Sequence, residues 1–314
     1  MRSPRIPRRA RAFSPAALCV LLAWMLTPQA ASAQSTARLV YVTVIDNEQA
    51  APLHGLGADD FYVIEDGARR EVLRASRATD PMQLTLLIDT SAASRPVLTD
   101  FRLALEAFLI ELPGTDEVTV ATFGGPRNIL AGPTSDVERV RSSFSKLYAR
   151  PDTATYLLGA LIDTVRGFER RAVPRPAVVV LTTNGVDFSE DEPQDVVTRL
   201  RGTGASMHVV AARTASVEMK FQGTFGTAAF PSWASRARDV IIDTGPRQSG
   251  GRRIDVSALS GATAALQQIA FELTSQYAVV YASPPTLLPG RRTEVGVRVP
   301  NITVRATPSR AGQR

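Results

Sequence analysis

Asp89 and Ser91 are the residues of this chain best placed to do chemistry. They end the stretch Leu84-Thr85-Leu86-Leu87-Ile88-Asp89-Thr90-Ser91, where an apolar run gives way abruptly to one carboxylate and two hydroxyls. A run this short reads as a buried parallel strand whose carboxyl end opens onto a surface site. In open α/β sheets, ligands sit outside the carboxyl ends of the strands. Grouped hard oxygens suit a hard cation, which takes carboxylate, hydroxyl and water ligands. Other chemistries find little to work with. The one cysteine, Cys19, falls in the N-terminal apolar segment, and the only imidazoles are His54, in a Pro/Gly-rich loop, and His208, in an apolar strand. Neither histidine has metal-ligand spacing. No Gly-x-Ser-x-Gly elbow, phosphate loop or dinucleotide fingerprint is present, and no histidine is placed by motif to activate Ser91.

The elements that must hold Asp89 and Ser91 alternate from residue 83 onward, strand then helix, which predicts a parallel sheet with right-handed crossovers. Leu84–Asp89 is the first strand. Phe101, Leu105, Phe108, Leu109 and Leu112 recur at helical spacing before Pro113-Gly114. Glu117–Phe123 is a strand with Asn128–Ala131 as a short partner, and Asp136–Leu147 is a helix capped by Ser135 or Asp136. Ala177–Thr182 is the central strand. A helix at Gln194–Arg201 follows Pro193, and Ser206–Ala212 is the next strand. Residues 214–251 lack periodicity and read as a long insertion over one face of the sheet. Leu259, Ala262, Leu266, Ile269, Leu273 and Tyr277 mark an amphipathic helix, and Tyr277–Tyr281 a last strand of the sheet. Strand-rich segments flank this core. Residues 38–46 and 61–64, and Glu71-Val72-Leu73 after the Asp66-Gly67 hairpin signal, precede it; residues 294–299 and 302–305 follow it. The two sets are expected to pair as a small β-module. The acidic pairs at 59–60 and 65–66 read as solvated turn residues.

With these residues in view, the chain resembles the von Willebrand factor A (VWA) domain. The metal-ion-dependent adhesion site of that family begins Asp-x-Ser-x-Ser, against Asp89-Thr90-Ser91-Ala92-Ala93 here. Asp152-Thr153-Ala154-Thr155-Tyr156-Leu157 resembles the loop that supplies the family's threonine ligand, which places that ligand at Thr155; otherwise Thr155 caps the helix that follows. Thr183-Asn184-Gly185-Val186-Asp187 stands where the family has Thr-Asp-Gly-x-Asp. Residues 59–67 resemble the segment preceding the A domain in a bacterial family of secreted, VWFA-related proteins. The resemblance implies a Rossmann-like α/β VWA domain, with a mostly parallel central sheet flanked by helices, plus the β-module. It implies a candidate Mg²⁺ or Mn²⁺ site at Asp89, Ser91, Thr155 and Asn184, degenerate because Ala93 removes one oxygen and Asn184 one charge. Ser94 and Asp187 stand nearby as substitutes. The other reading is that Asp89 and Asn184 cap loops through backbone hydrogen bonds.

The domain boundaries follow: 1–33 a signal peptide, 34–80 an N-terminal β-segment, 81–282 the VWA domain with its insertion, and 283–314 C-terminal strands and tail. Arg2, Arg5, Arg8, Arg9 and Arg11 form the positive region of the signal, Ala16–Leu26 its apolar region and Ala31-Ser32-Ala33 its cleavage site. The formal charge of +6 falls to +1 once those five arginines are removed. The basic balance is therefore no argument for nucleic acid. The expectation is an exported, periplasmic or secreted bacterial protein with no stable membrane span after cleavage. It is expected to act in protein–protein interaction or adhesion and not as an enzyme. A structural module of an envelope assembly without metal is the alternative, and a hydrolase a weaker one.

Overall fold

Strands buried on both faces need helices on both sides, and the chain between residues 83 and 274 supplies them. The computed structural model describes residues 35–183, 185–213, 232–257, 261–285 and 292–311; the expected signal peptide, Asn184 and residues 214–231 of the expected insertion lie outside the described residues. In chain order, β1 is Thr36–Asp46, β2 Ala51–Pro52, β3 Phe61–Glu65, β4 Ala68–Arg70 and β5 Val72–Arg77. The alternating part follows with β6 Gln83–Ile88, α1 Leu98–Ile110, β7 Glu117–Thr122, β8 Asn128–Thr134, α2 Val137–Phe144 and α3 Leu157–Arg171. It continues with β9 Pro176–Thr182, α4 Pro193–Thr203, β10 Ser206–Ala212, α5 Ser232–Ser249, β11 Arg253–Val256 and α6 Gly261–Thr274. The chain closes with β12 Tyr277–Ser283, β13 Thr293–Val297, β14 Ile302–Ala306 and β15 Arg310–Ala311.

The central sheet runs β11-β10-β9-β6-β7-β8, parallel throughout except for β8, which is antiparallel to β7 at the edge. Side chains of a strand alternate between faces. Leu86 and Ile88 of β6 therefore enter one core with Phe101, Phe108, Leu266 and Ile269 of α1 and α6. Leu87 enters the other, with Leu161, Phe168, Leu200 and Ile241 of α3, α4 and α5. Capping follows local chemistry. Asp136 accepts from the Glu138 and Arg139 amides at the start of α2, and Pro193 opens α4 where its missing N–H costs nothing.

The β-module forms as the flanking strands predict. β14 pairs antiparallel with β1 and β13 with β3, so N- and C-terminal segments share sheets. Asp66 and Gly67 turn the β3–β4 hairpin with φ of 49° and 78°, the left-handed pair that a tight hairpin needs. Three expectations are corrected. Tyr277–Tyr281 is not a strand of the parallel sheet: β12 pairs antiparallel with β1 and β5, while β11 takes the sheet edge beside β10. The aperiodic insertion is only partly so, because Ser232–Ser249 is a helix burying Ile241 and Ile242 on the sheet; Gly245 and Pro246 masked its period. Glu65 is not solvated. It is 1 % exposed and accepts from Arg38 Nη1 at 2.6 Å, Tyr281 OH at 2.9 Å and Ser283 Oγ at 2.7 Å.

The β-module and the α/β unit are joined by polar ties. Glu272 of α6, buried, pairs with Arg252 before β11 and with Arg305 of β14. Arg175 donates to the carbonyls of Leu273 and Asp80 and lies 5.3 Å over the Tyr41 ring. Among the described residues no helix is long and apolar enough to cross a membrane.

Candidate functional site

β6 delivers Asp89 to the carboxyl edge of the sheet, where four loops meet. Asp89 is fully buried. Its Oδ1 accepts from the Ser91 amide at 2.8 Å, and its Oδ2 from the Thr183 hydroxyl at 2.7 Å and the Thr183 amide at 3.2 Å. The carboxylate thus ties the loop after β6 to the loop after β9. Ser91 Oγ and Thr90 Oγ1 are buried and have no hydrogen-bond partner among the described residues. Gly124, after β7, packs directly beneath: a Cβ there would lie 2.2 Å from the Thr90 carbonyl carbon and 2.3 Å from the Ser91 nitrogen. Only glycine permits that approach.

Thr155 sits in the same cluster. A Cβ on Gly185 would stand 3.1 Å from Thr155 Cγ2, 3.5 Å from Ser91 Oγ and 3.6 Å from Ala93 Cβ. Asp89, Ser91, Thr155 and Ala93 therefore converge, as the motif spacing implies. Asn184, the fourth candidate, lies outside the described residues, but its neighbours Thr183 and Gly185 border the cluster. Thr155 does not cap α3. Its hydroxyl lies 2.9 Å from the Val186 carbonyl and 3.1 Å from Asp187 Oδ2. Asp187 does the capping instead, its Oδ2 accepting from the Leu157 amide at 2.6 Å while Oδ1 accepts from the Ser189 amide at 2.9 Å. Burial raises the Asp187 pKa, opposed by these hydrogen bonds. Ser94 donates to the Ser91 carbonyl at 2.8 Å. Both nearby substitutes for the missing ligands thus have internal partners.

Arg238 of α5 was hidden from sequence reasoning by the irregular composition around it. Its guanidinium is buried and donates to the carbonyls of Thr183, at 3.1 Å, and Gly185, on either side of residue 184. It also pairs with Asp239 at 2.6 Å. Helical spacing of Ala237, Ile241 and Ile242 was the available signal. Beside Asp187, a groove of about 430 Å³ is lined by Ser189, Glu190, Asp191, Glu192, Arg236 and Val240.

The fold and this constellation place the α/β unit in a known class. Residues 84–186 match the family model of the von Willebrand factor type A domain. Solved structures similar to the chain include BatB from Bacteroides thetaiotaomicron, at 16 % identity, covering 62 % of this chain and 100 % of that one with a TM-score of 0.44. An aerotolerance-related membrane protein from Bacteroides fragilis matches at 15 % identity over 61 % of this chain and 98 % of that one, TM-score 0.42. A von Willebrand factor type A protein from Catenulispora acidiphila matches at 10 % identity over 88 % and 74 %, TM-score 0.46. No curated protein matches the chain.

Proposed function

We propose that this is an exported protein-binding VWA domain, periplasmic or secreted, whose upper face meets its partner without a metal ion. The observation that carries the reading is the commitment of the upper-face carboxylates to the fold. A divalent cation needs about six hard oxygens and enough negative charge to displace its water. Around Ser91, Asp89 is the one carboxylate of the expected set in the described cluster, and it already accepts three hydrogen bonds. Ala93 supplies no oxygen, and the carbonyls flanking residue 184 already accept from Arg238. The residues do not fit the ion. Where related sites use a metal to bind a partner carboxylate, this face offers shape, the groove beside Asp187 and the acids Glu190, Asp191 and Glu192. Binding is favoured over catalysis because Ser91 Oγ has no hydrogen-bond partner among the described residues, whereas a serine nucleophile needs a base within reach.

The test is thermal. Millimolar Mg²⁺ or Mn²⁺ should leave the melting temperature unchanged, because an ion that does not bind the native state cannot stabilise it. Ala93→Ser with Asn184→Asp should restore oxygen and charge and produce a rise. A rise in the natural protein that disappears in Asp89→Ala would overturn the metal-free reading. Pull-downs from envelope extract should be indifferent to chelator and lose their target in Asp191→Arg. Loss on chelation would count against the proposal.

A further inference from the structure

A second polar cavity opens on the α3 face of the sheet, along β7 and β8. Thr85 and Thr119 begin it. They are register partners on β6 and β7, and both point to the α3 face, since Leu87 and Ala121, two residues further along each strand, belong to that core. Each is buried, at 3 % and 6 % exposure, yet neither hydroxyl makes a side-chain hydrogen bond with a described residue. Threonine suits a strand, and both residues line the cavity. The cavity they floor measures about 180 Å³, room for roughly six waters at ~30 Å³ each.

Its walls are basic. Arg127, from the turn between β7 and β8, has a buried Nε without a partner and forms no ion pair with the described residues. Arg170 and Arg171 enter from the end of α3. Burial lowers the Arg127 pKa; the nearby Asp163 carboxylate opposes that shift, and Arg171 and Arg170 add to it. The three cations are thus close enough to oppose one another. Asp163 is the one carboxylate in the lining; it is 53 % exposed and lies 3.8 Å from Arg166. The helix dipole accounts for Arg170 and Arg171 at a C-terminus. It does not account for Arg127, whose buried Nε has no partner among the described residues.

We propose that the cavity formed by Thr85, Thr119, Arg127, Arg170 and Arg171 binds a small tetrahedral oxyanion, a phosphate or sulfate group either free or carried by a small molecule. Guanidinium forks match such oxygens two at a time. The hydroxyls of Thr85 and Thr119 supply donors from the floor, in a direction that a planar carboxylate held on one fork does not use. The ligand would neutralise the arginine cluster and accept from the hydroxyls that line the cavity.

Calorimetry on the purified protein tests this, with inorganic phosphate and sulfate titrated against chloride at matched ionic strength. Saturable binding at one site is expected. Arg127→Gln should weaken it about tenfold or more, corresponding to 1.4 kcal/mol. The near-isosteric double variant Thr85→Val, Thr119→Val should weaken it while preserving the melting temperature without phosphate. Arg127→Lys, which keeps the charge and loses the fork, should fall between. Glycerol phosphate binding as tightly as inorganic phosphate would identify the carried group as a ligand, and exclusion of the ester would identify the free ion. Absence of saturable heat, equal binding in Arg127→Gln, or acetate binding as tightly as phosphate would each overturn the proposal. Metal dependence at Asp89 has no bearing on any of these outcomes.

Discussion

Burying Glu65 is tolerated because donors meet it from β1, from β12 and from the β4 hairpin. Arg38, Tyr281 and Ser283 donate to it, and Arg70 Nε lies 3.3 Å away. Breaking a buried pair leaves a stranded charge, so Glu65→Ala should cost about 3–5 kcal/mol in urea denaturation. A loss below about 1 kcal/mol, the scale of a surface pair, would refute the buried hub. His208 is the opposite case. Both ring nitrogens lack partners, and burial, then the charges of Arg305 and Arg252, push its pKa down to about 3. The unfolded chain takes up a proton near the ordinary value of about 6.5. Between those values the unfolded state binds more protons, so the His208 contribution falls as pH drops from 6.5 and is level above it. From pH 6.5 to 5 the loss should be about 2 kcal/mol. His208→Leu, of similar volume, should remove that part of the slope in urea titrations at the two pH values. An unchanged slope would mean that His208 is not buried neutral.

At the scale of elements, α3 is held by a residue outside it. Tyr156 at its N-cap makes no side-chain hydrogen bond, and Asp187 from the loop after β9 accepts the Leu157 amide. Asp187→Ala should therefore lower stability by about 1–2 kcal/mol, the value of an N-cap, and release Thr155 as well. Asp187→Asn, which still offers a carbonyl oxygen, should lose less. Equal losses would indicate that charge and not hydrogen bonding matters there. Amide exchange at Leu157 and Thr155 gives the local measurement, with faster exchange expected in the alanine variant. The loops of the upper face move together in this scheme, since Ala92 donates to Thr153 and Arg150 to Thr90 through their backbones.

For the whole molecule, the buried Arg252–Glu272–Arg305 arrangement decides whether the β-module and the α/β unit unfold together. Glu272→Ala leaves two partly buried guanidiniums facing each other and should cost about 3–5 kcal/mol. Loss of a single cooperative transition would accompany it if this tie is the main link. Replacing all three residues by apolar ones of similar size should be far milder, because removing both partners leaves no stranded charge. Calorimetric unfolding of the single and triple variants separates the two effects.

Local chemistry was enough to read β6, β9 and β10 from their apolar runs, α1 and α6 from their spacing, the turn at Asp66-Gly67 and a cap at Ser135 or Asp136, of which the structure uses Asp136. The resemblance to the VWA motifs aligned Asp89, Ser91 and Thr155, since such loop motifs are short-range features. Partner choice was beyond it. Tyr277–Ser283 has the composition of a strand in either sheet, and only the presence of β11 at the sheet edge and the length of β1 assign it to the module. Glu65 has the same sequence neighbours whether solvated or buried; Arg38, Tyr281 and Ser283 reach it from 27 to 218 residues away. The same holds for Arg238, which meets the Thr183 and Gly185 carbonyls only because α5 packs on the sheet beside β10. Motif spacing fixes which oxygens stand near one another, whereas their charge balance depends on side chains that arrive from distant elements, and that balance is set by the tertiary structure.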